Sequence, residues 1–321
     1  MSILSQVTVL VAVFNKKEIV RDCIESLLKL DPAPIRILFV DGGSTDGTFQ
    51  ILQEEYKNKI DLYQLPVGHS NRMNWALDNI NTKYTALTDA DCVVKPNWLA
   101  ELLKGFSEEK NVIATAGYCG TPKNIAFLQK LIGLEMDNRF DNFPRYLYRA
   151  PTMNLCFKTD IARKIRFDEK QKVAIETDFG YRLTKLGKMV YMPKAKVLHY
   201  HRSTLKDYFK QQKNQAEWGP RLILKHGKKS LTDQITTLKM TLQIPLFFLS
   251  LVFLLFSFIN QIFLFPLILM IVSLLIIYLK IIREISPPGK LYLPFLGLFF
   301  FRNLAWLVGV LKGIILLFIK A

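Results

Sequence analysis

Between Lys239 and Lys280 the chain runs for forty residues, 240–279, without one charged side chain. No other feature limits the fold so strongly. Because a membrane crossing takes about 20 apolar residues, this length fits two spanning helices, with the polar pair Asn260-Gln261 marking the turn. Runs such as "PLFFLSLVFLLFSFI" leave no wet face and so disfavour a soluble hairpin. A third apolar stretch, 291–319, is interrupted by Arg302 and Lys312; it either spans, lies in the interface or packs against the hairpin.

Charge sets the expected orientation. The Asn260-Gln261 turn has none, whereas "KIIREISPPGK" (280–290) carries Lys280, Arg283 and Lys290 against one Glu, and the segment before the first span is basic too. Both basic ends are therefore expected on the cytoplasmic side of a multi-pass cell-membrane protein. The opening "MSILSQVTVLVAVFNKK" has no basic n-region and breaks at Asn15, as a buried strand does, so it does not read as a signal peptide. The first 240 residues are expected in the cytoplasm. Cys23, Cys92, Cys119 and Cys156 show no CxxC spacing, which suits reduced thiols.

The net charge of +16 is unevenly spread: residues 1–201 carry 28 Lys+Arg against 23 Asp+Glu, 202–239 carry 9 against 3, and 240–321 carry 6 against 1. Three segments with those boundaries follow. In the middle one, Lys and Arg alternate with Tyr208, Phe209, Trp218, Leu222 and Leu224, the pattern of amphipathic helices lying on an anionic membrane face. A nucleic-acid partner is not expected, because the segment leads straight into the hairpin.

The first segment alternates strand and helix. "VTVLVAV" (7–13) is a continuous apolar run suited to a central parallel strand, and Ile19, Val20, Cys23, Ile24, Leu27 and Leu28 then share one helical face. "IRILFV" (35–40), a short strand at 61–65, a helix from about residue 70, "YTALT" and a helix after Pro96 continue the rhythm. This is a doubly wound α/β sheet, whose ligands sit beyond the carboxyl ends of the strands. Asp41, Asp89 and Asp91 fall at such ends.

"VDGGSTDGT" (40–48) allows a sharp turn and close backbone approach, offers hydroxyls from Ser44 and Thr45, and lets Asp46 cap the next helix. It resembles the nucleotide-sugar-binding segment of family 2 glycosyltransferases of the GT-A fold. "VAVFN" (11–15), "GHSNRMNWAL" (68–77), "TDADC" (88–92) and "IETDFGYRLTKLGKMVYMPKAKVLHYHR" (175–202) resemble further segments of that family in the same order. The resemblance implies a GT-A domain over 1–201, a basic interface segment over 202–239 and transmembrane helices over 240–321. It also implies donor-binding roles for Val13, Asn15, Asp41, Gly43, Gly68, Arg72 and Asp89.

Two carboxylates at i and i+2 on one turn repel each other unless a hard divalent cation sits between them, where it also bridges a diphosphate. By the family pattern Asp91 binds the metal directly, Asp89 reaches the ribose or the metal through water, and His199 is a further candidate ligand. Manganese or magnesium is implied. The family commonly places its catalytic base as an Asp in an "ED" pair; here Glu176 holds that place, Ile175 stands where Glu is usual, and Asp178 is the second acid. Both acids stay open for the base, Glu176 first. Both also suit a helix N-terminus without any chemistry.

"APTMNLCFKTDIARKIRFDE" (150–169) falls between metal motif and base, so Met153 and Asn154 are candidates for the acceptor side, with Arg182, Trp218 and Arg221. "WGPRLILKH" resembles a segment of membrane-attached transferases that build exopolysaccharide or lipid-linked glycans, and the "QxxRW" of processive synthases is missing. Single-sugar transfer is the expectation: an inverting, metal-dependent hexosyltransferase moving a sugar from UDP-sugar, or less readily GDP-sugar, to a hydroxyl of a lipid-linked or glycan acceptor. One alternative is a polyprenyl-phosphate glycosyltransferase. Another is a non-catalytic membrane scaffold that senses nucleotide-sugars.

Overall fold

A computed structural model describes residues 6–319. In chain order the elements are β1 (Val7–Val13), α1 (Val20–Leu28), β2 (Arg36–Asp41), α2 (Thr48–Tyr56), β3 (Asp61–Gln64), α3 (His69–Asp78), β4 (Tyr84–Asp89), β5 (Cys92–Val94), α4 (Trp98–Glu108), β6 (Val112–Gly120), α5 (Phe127–Asp141), β7 (Tyr146–Leu147), β8 (Leu155–Lys158), α6 (Thr159–Ile165), α7 (Ile175–Leu183), β9 (Lys188–His199), α8 (Leu205–His226), α9 (Leu238–Ser257), α10 (Leu264–Ile285) and α11 (Tyr292–Ile319). They form two compact units, one reaching Asn124 and resuming over Phe140–Tyr200, the other comprising Ile125–Arg139 and the chain from His201 onward.

The first unit is built on one mixed sheet of order β3-β2-β1-β4-β8-β6-β9-β5, with β7 pairing β9. Strands β1 to β4 are parallel, and β1, β2 and β4 have nearly every residue buried, as runs covered on both faces by helices must be. Antiparallel β8 enters between β4 and β6, which makes the sheet mixed. Helix α1 buries Val20, Cys23, Ile24 and Leu27, four of the six residues on its expected apolar face. All four cysteines are free and buried.

In the second unit, Leu238–Ser257, Gln261–Ile285 and Gly289–Ile319 are each long and apolar enough to cross a membrane. The turn between the first two falls at Asn260, whose side chain accepts the Ile262 N–H (3.0 Å) and so starts the next helical turn. Thr237 caps α9 in the same way and Thr204 caps α8. Tyr208, Phe247, Tyr278, Ile282, Phe295 and Phe299 form the core of this unit, and Leu131 of α5 joins them.

Candidate active site

Backbone register brings the acidic residues to one edge of the sheet. Val13 pairs with Asp41, and Ala12 with Asp89, so β1, β2 and β4 end side by side. Just beyond, Asn15 turns the chain with φ 50°, a left-handed conformation that Asn tolerates better than most residues. Its N–H donates to Ser44 Oγ (2.9 Å) and its Oδ1 accepts the Thr45 N–H (2.9 Å), while the Lys16 N–H donates to Thr48 Oγ1 (2.8 Å). Those three hydrogen bonds, among five residues, tie the "VAVFNK" loop to the "GGSTDGT" loop.

Asp41 is fully buried and accepts from the N–H groups of Gly43 and Ser44 (2.9 Å each), the Ser44 hydroxyl (2.5 Å) and the Gln64 amide (3.0 Å). It therefore shapes the 41–48 turn, in which Gly43 has φ 85°. Val13 is buried, so any ligand it meets, it meets through backbone. Gly68 leads into α3, whose Arg72 is 8 % exposed and donates to the Val67 carbonyl (2.5 Å); its Nε is buried without a partner. A Cβ at Gly42 would fall 2.6 Å from Arg72 Nη1, so that glycine leaves the room the guanidinium occupies.

Asp91 lies at the tightest part of the cluster. It is 7 % exposed, its Oδ2 accepts from Lys16 Nζ at 2.5 Å, and its Oδ1 is buried without a hydrogen-bond donor, facing His199 Nε2 at 3.5 Å. His199 reaches this point because β5 and β9 pair antiparallel with Cys92 opposite it. Ligand atoms of Asp91, Cys92 and His199 all lie within 4.8 Å of one another. Burial pushes the Asp91 carboxyl up, but His199 and Lys16 outweigh it and hold Asp91 well below the carboxylate range. Half-buried Asp89 is pushed upward by burial and then by Asp91 beside it.

Glu176 and Asp178 share the first turn of α7 but not their surroundings. Asp178 is fully buried and takes Arg182 Nε (2.8 Å) and Nη2 (2.6 Å); the same guanidinium donates to the carbonyls of Ile165 (2.6 Å) and Arg166 (2.7 Å). Glu176 is half-buried, burial raises its carboxyl above the usual range, and its charge acts on Asp89. Asn154, 1 % exposed, donates to the carbonyls of Tyr118 and Ala195 (2.9 Å each) and accepts from Trp98 Nε1 (2.8 Å), so its amide is consumed by packing; Met153 stays half-buried. Trp218 and Arg221 belong to α8 of the second unit, where the guanidinium lies over the indole at 4.9 Å.

Sequence reasoning missed three groups. Lys16 directly follows the strand-end motif and could have been read from that position; Thr152, 3.5 Å from Asp89 Oδ1, and Arg149, whose charge acts on Glu176, lie far along the chain with no local signal.

The family model "Glycosyl transferase family 2" matches residues 8–168. Among curated relatives, the teichoic acid poly(glycerol phosphate) polymerase of Staphylococcus epidermidis is 25% identical over 55% of this chain and 25% of its own length. A poly-beta-1,6-N-acetyl-D-glucosamine synthase of the same species is 22% identical over 75% of this chain and 60% of its own. The chain thus spans between a quarter and three fifths of these two relatives. The mannosyltransferase PcManGT from Pyrobaculum calidifontis, solved with GDP-Man and Mn2+, aligns with 96% of this chain and 87% of its own at 14% identity and a TM-score of 0.63. S. aureus TarS 1-349, solved with UDP-GlcNAc, aligns with 94% of this chain and 90% of its own at 17% identity and 0.50. With half of its residues matched to the family and its acids gathered at the strand ends of a GT-A sheet, this chain belongs to glycosyltransferase family 2.

Proposed function

We propose that the chain is an inverting, metal-dependent glycosyltransferase that moves a sugar from a nucleotide-diphosphate donor, UDP-sugar preferred, to a hydroxyl of a lipid-linked or glycan acceptor. The observation that carries this reading is the cluster of Asp89, Asp91 and His199 at the strand ends, with Glu176 in electrostatic reach. The donor set fits a divalent ion: Asp91 Oδ1 is buried without a donor beside an imidazole, and the Cys92 thiol is held protonated by burial, which leaves oxygen and nitrogen ligands suited to manganese or magnesium. Bound there by Asp91, with Asp89 and His199 as its neighbours, the ion would supply Lewis-acid stabilisation to the leaving diphosphate.

The remaining work falls to side chains. Asn15, Gly43 and Arg72 line the turn that receives the nucleotide, and Asp41 keeps that turn in shape. Glu176 takes the proton of the attacking hydroxyl, whose own pKa is far above neutrality, and its raised affinity for protons suits that task. Asp178, locked to Arg182, holds α7 in position. A single displacement by the activated hydroxyl inverts the anomeric centre and needs no nucleophilic carboxylate. The α9–α10 hairpin spans the membrane with its basic ends cytoplasmic, which puts the catalytic unit on the same side as the nucleotide-sugar pool.

Transfer and donor hydrolysis measured against manganese concentration test the reading. Activity should vanish in EDTA, and Asp91→Asn should lower it on the order of 100-fold or more. Full activity in either case would sink the metal-dependent mechanism, and a product with retained anomeric configuration would sink inversion.

A further inference from the structure

Helix α11 has the length and hydropathy of a membrane span, yet its neighbours do not suit one. Helix α8 runs beside it in the same direction: Phe209 meets Phe301 with ring centroids 5.3 Å apart, Gln212 accepts from Trp306 Nε1 (2.9 Å), and Glu217 pairs with Lys312 (2.8 Å). The contact is closest at two glycines. A Cβ at Gly309 would fall 2.3 Å from the Lys213 carbonyl oxygen, and one at Gly313 would fall 2.2 Å from that of Glu217. Were α11 to stand across the bilayer, it would carry Lys210, Lys213, Glu217 and Arg221 of α8 through the hydrocarbon, where charged side chains are strongly disfavoured.

Helix α5 makes the same point independently. Arg302, ten residues into α11, would lie about 15 Å along a transverse helix, the middle of a core about 30 Å thick. There its Nη1 donates to both oxygens of Glu135 (2.6 and 2.8 Å), and Glu135 sits on α5 beside Arg139, on the same helix as exposed Lys130. A helix that carries Lys130, Glu135, Asp137, Arg139 and Asp141 has no place at the bilayer midplane. Away from α8 and α5, α11 presents Phe300, Leu304, Val308, Leu311, Ile315 and Phe318, spaced by three and four residues and each 38–80 % exposed. That is one apolar stripe along a helix whose other side is covered by protein.

We propose that α11 does not cross the membrane: it lies in the plane of the interface, paired with α8, and its stripe is seated in lipid at the boundary between headgroups and acyl chains. Lipid is the occupant because the stripe is continuous through Phe300, which meets Phe247 at 5.4 Å, with α9 of the spanning hairpin. Lys206 and Lys210 on α8, both exposed, offer cations to anionic headgroups. The inference rests on the hairpin crossing the bilayer and is independent of the transfer chemistry.

Spin-label depth in nanodiscs of stated composition, phosphatidylcholine with phosphatidylglycerol, tests it on the full chain. Single cysteines replace Phe300, Leu304, Val308, Leu311, Ile315 and Phe318, with Phe265, Ile268, Val272 and Ile276 on α10 as the spanning control; the four native cysteines are buried, and wild type taken through the same labelling reaction verifies their silence. The α11 labels should share one shallow depth of about 5–10 Å below the phosphates, while those on α10 should deepen along the helix. A profile on α11 that descends to the bilayer centre and rises again overturns the proposal while leaving the hairpin intact. Labels on α11 that are water-accessible throughout overturn the lipid occupant. If the α10 labels show no depth, the spanning hairpin fails and the proposal with it.

Discussion

Replacing the two acids of α7 one at a time should give opposite phenotypes, because the structure gives them opposite partners. In Asp178→Asn the side chain keeps its shape but loses the charge that meets Arg182 at 2.8 and 2.6 Å. Removing one partner of a buried ion pair costs about 3–5 kcal/mol. Here the Arg182 side chain is 24% exposed, the amide still accepts one bond, and two carbonyls still hold the guanidinium, so about 2–3 kcal/mol is the expected loss. For a unit of this size that lowers the melting temperature by roughly 5–10 °C. Turnover of the protein that remains folded should change little. Glu176→Gln keeps the side chain's shape and removes the proposed base, so donor affinity and melting temperature should hold while turnover falls by roughly 100-fold to 10,000-fold. Thermal melts in detergent, donor binding by calorimetry and initial rates on each variant separate the two. A large rate loss confined to Asp178→Asn, at unchanged melting temperature, would refute this reasoning and move the base two residues along. Unimpaired turnover in both variants would favour a phosphate acceptor that needs no base.

The raised Glu176 carboxyl also makes pH predictions. Its folded form holds a proton to higher pH than its unfolded form, so the ionised group destabilises the fold above that range; transfer should fall on the acid side at a higher pH than an ordinary carboxylate dictates, and Glu176→Gln should abolish that limb while leaving neutral-pH stability equal or slightly higher. Asn154→Ala should strip Trp98 Nε1 of its acceptor and the buried Ala195 and part-buried Tyr118 carbonyls of their donor, for a loss of about 3–5 kcal/mol seen as a lower melting temperature. A native melting temperature with a raised acceptor KM would instead place Asn154 at the acceptor.

Features legible in the chain were those written in consecutive residues. Forty uncharged positions specify a hairpin because crossing the hydrocarbon depends on length and polarity alone, and Asn260 marks its turn because a cap bonds two residues away. The acids at strand ends were visible because a buried parallel strand is a continuous apolar run that stops where the sheet stops. Partnerships between distant residues were not. Which acid of α7 is held in an ion pair depends on Arg182, whose anchor points at 165 and 166 come from another helix end. His199 faces Asp91 only because β5 and β9 pair in one register, which a shift of a single residue would reverse. Arg302 looked like an interruption in a span until folding brought Glu135, 167 residues earlier, against it. Hydrophobic period and turn chemistry act over a few neighbours and survive in any context, whereas a charge acquires its meaning from the one partner that tertiary packing sets beside it.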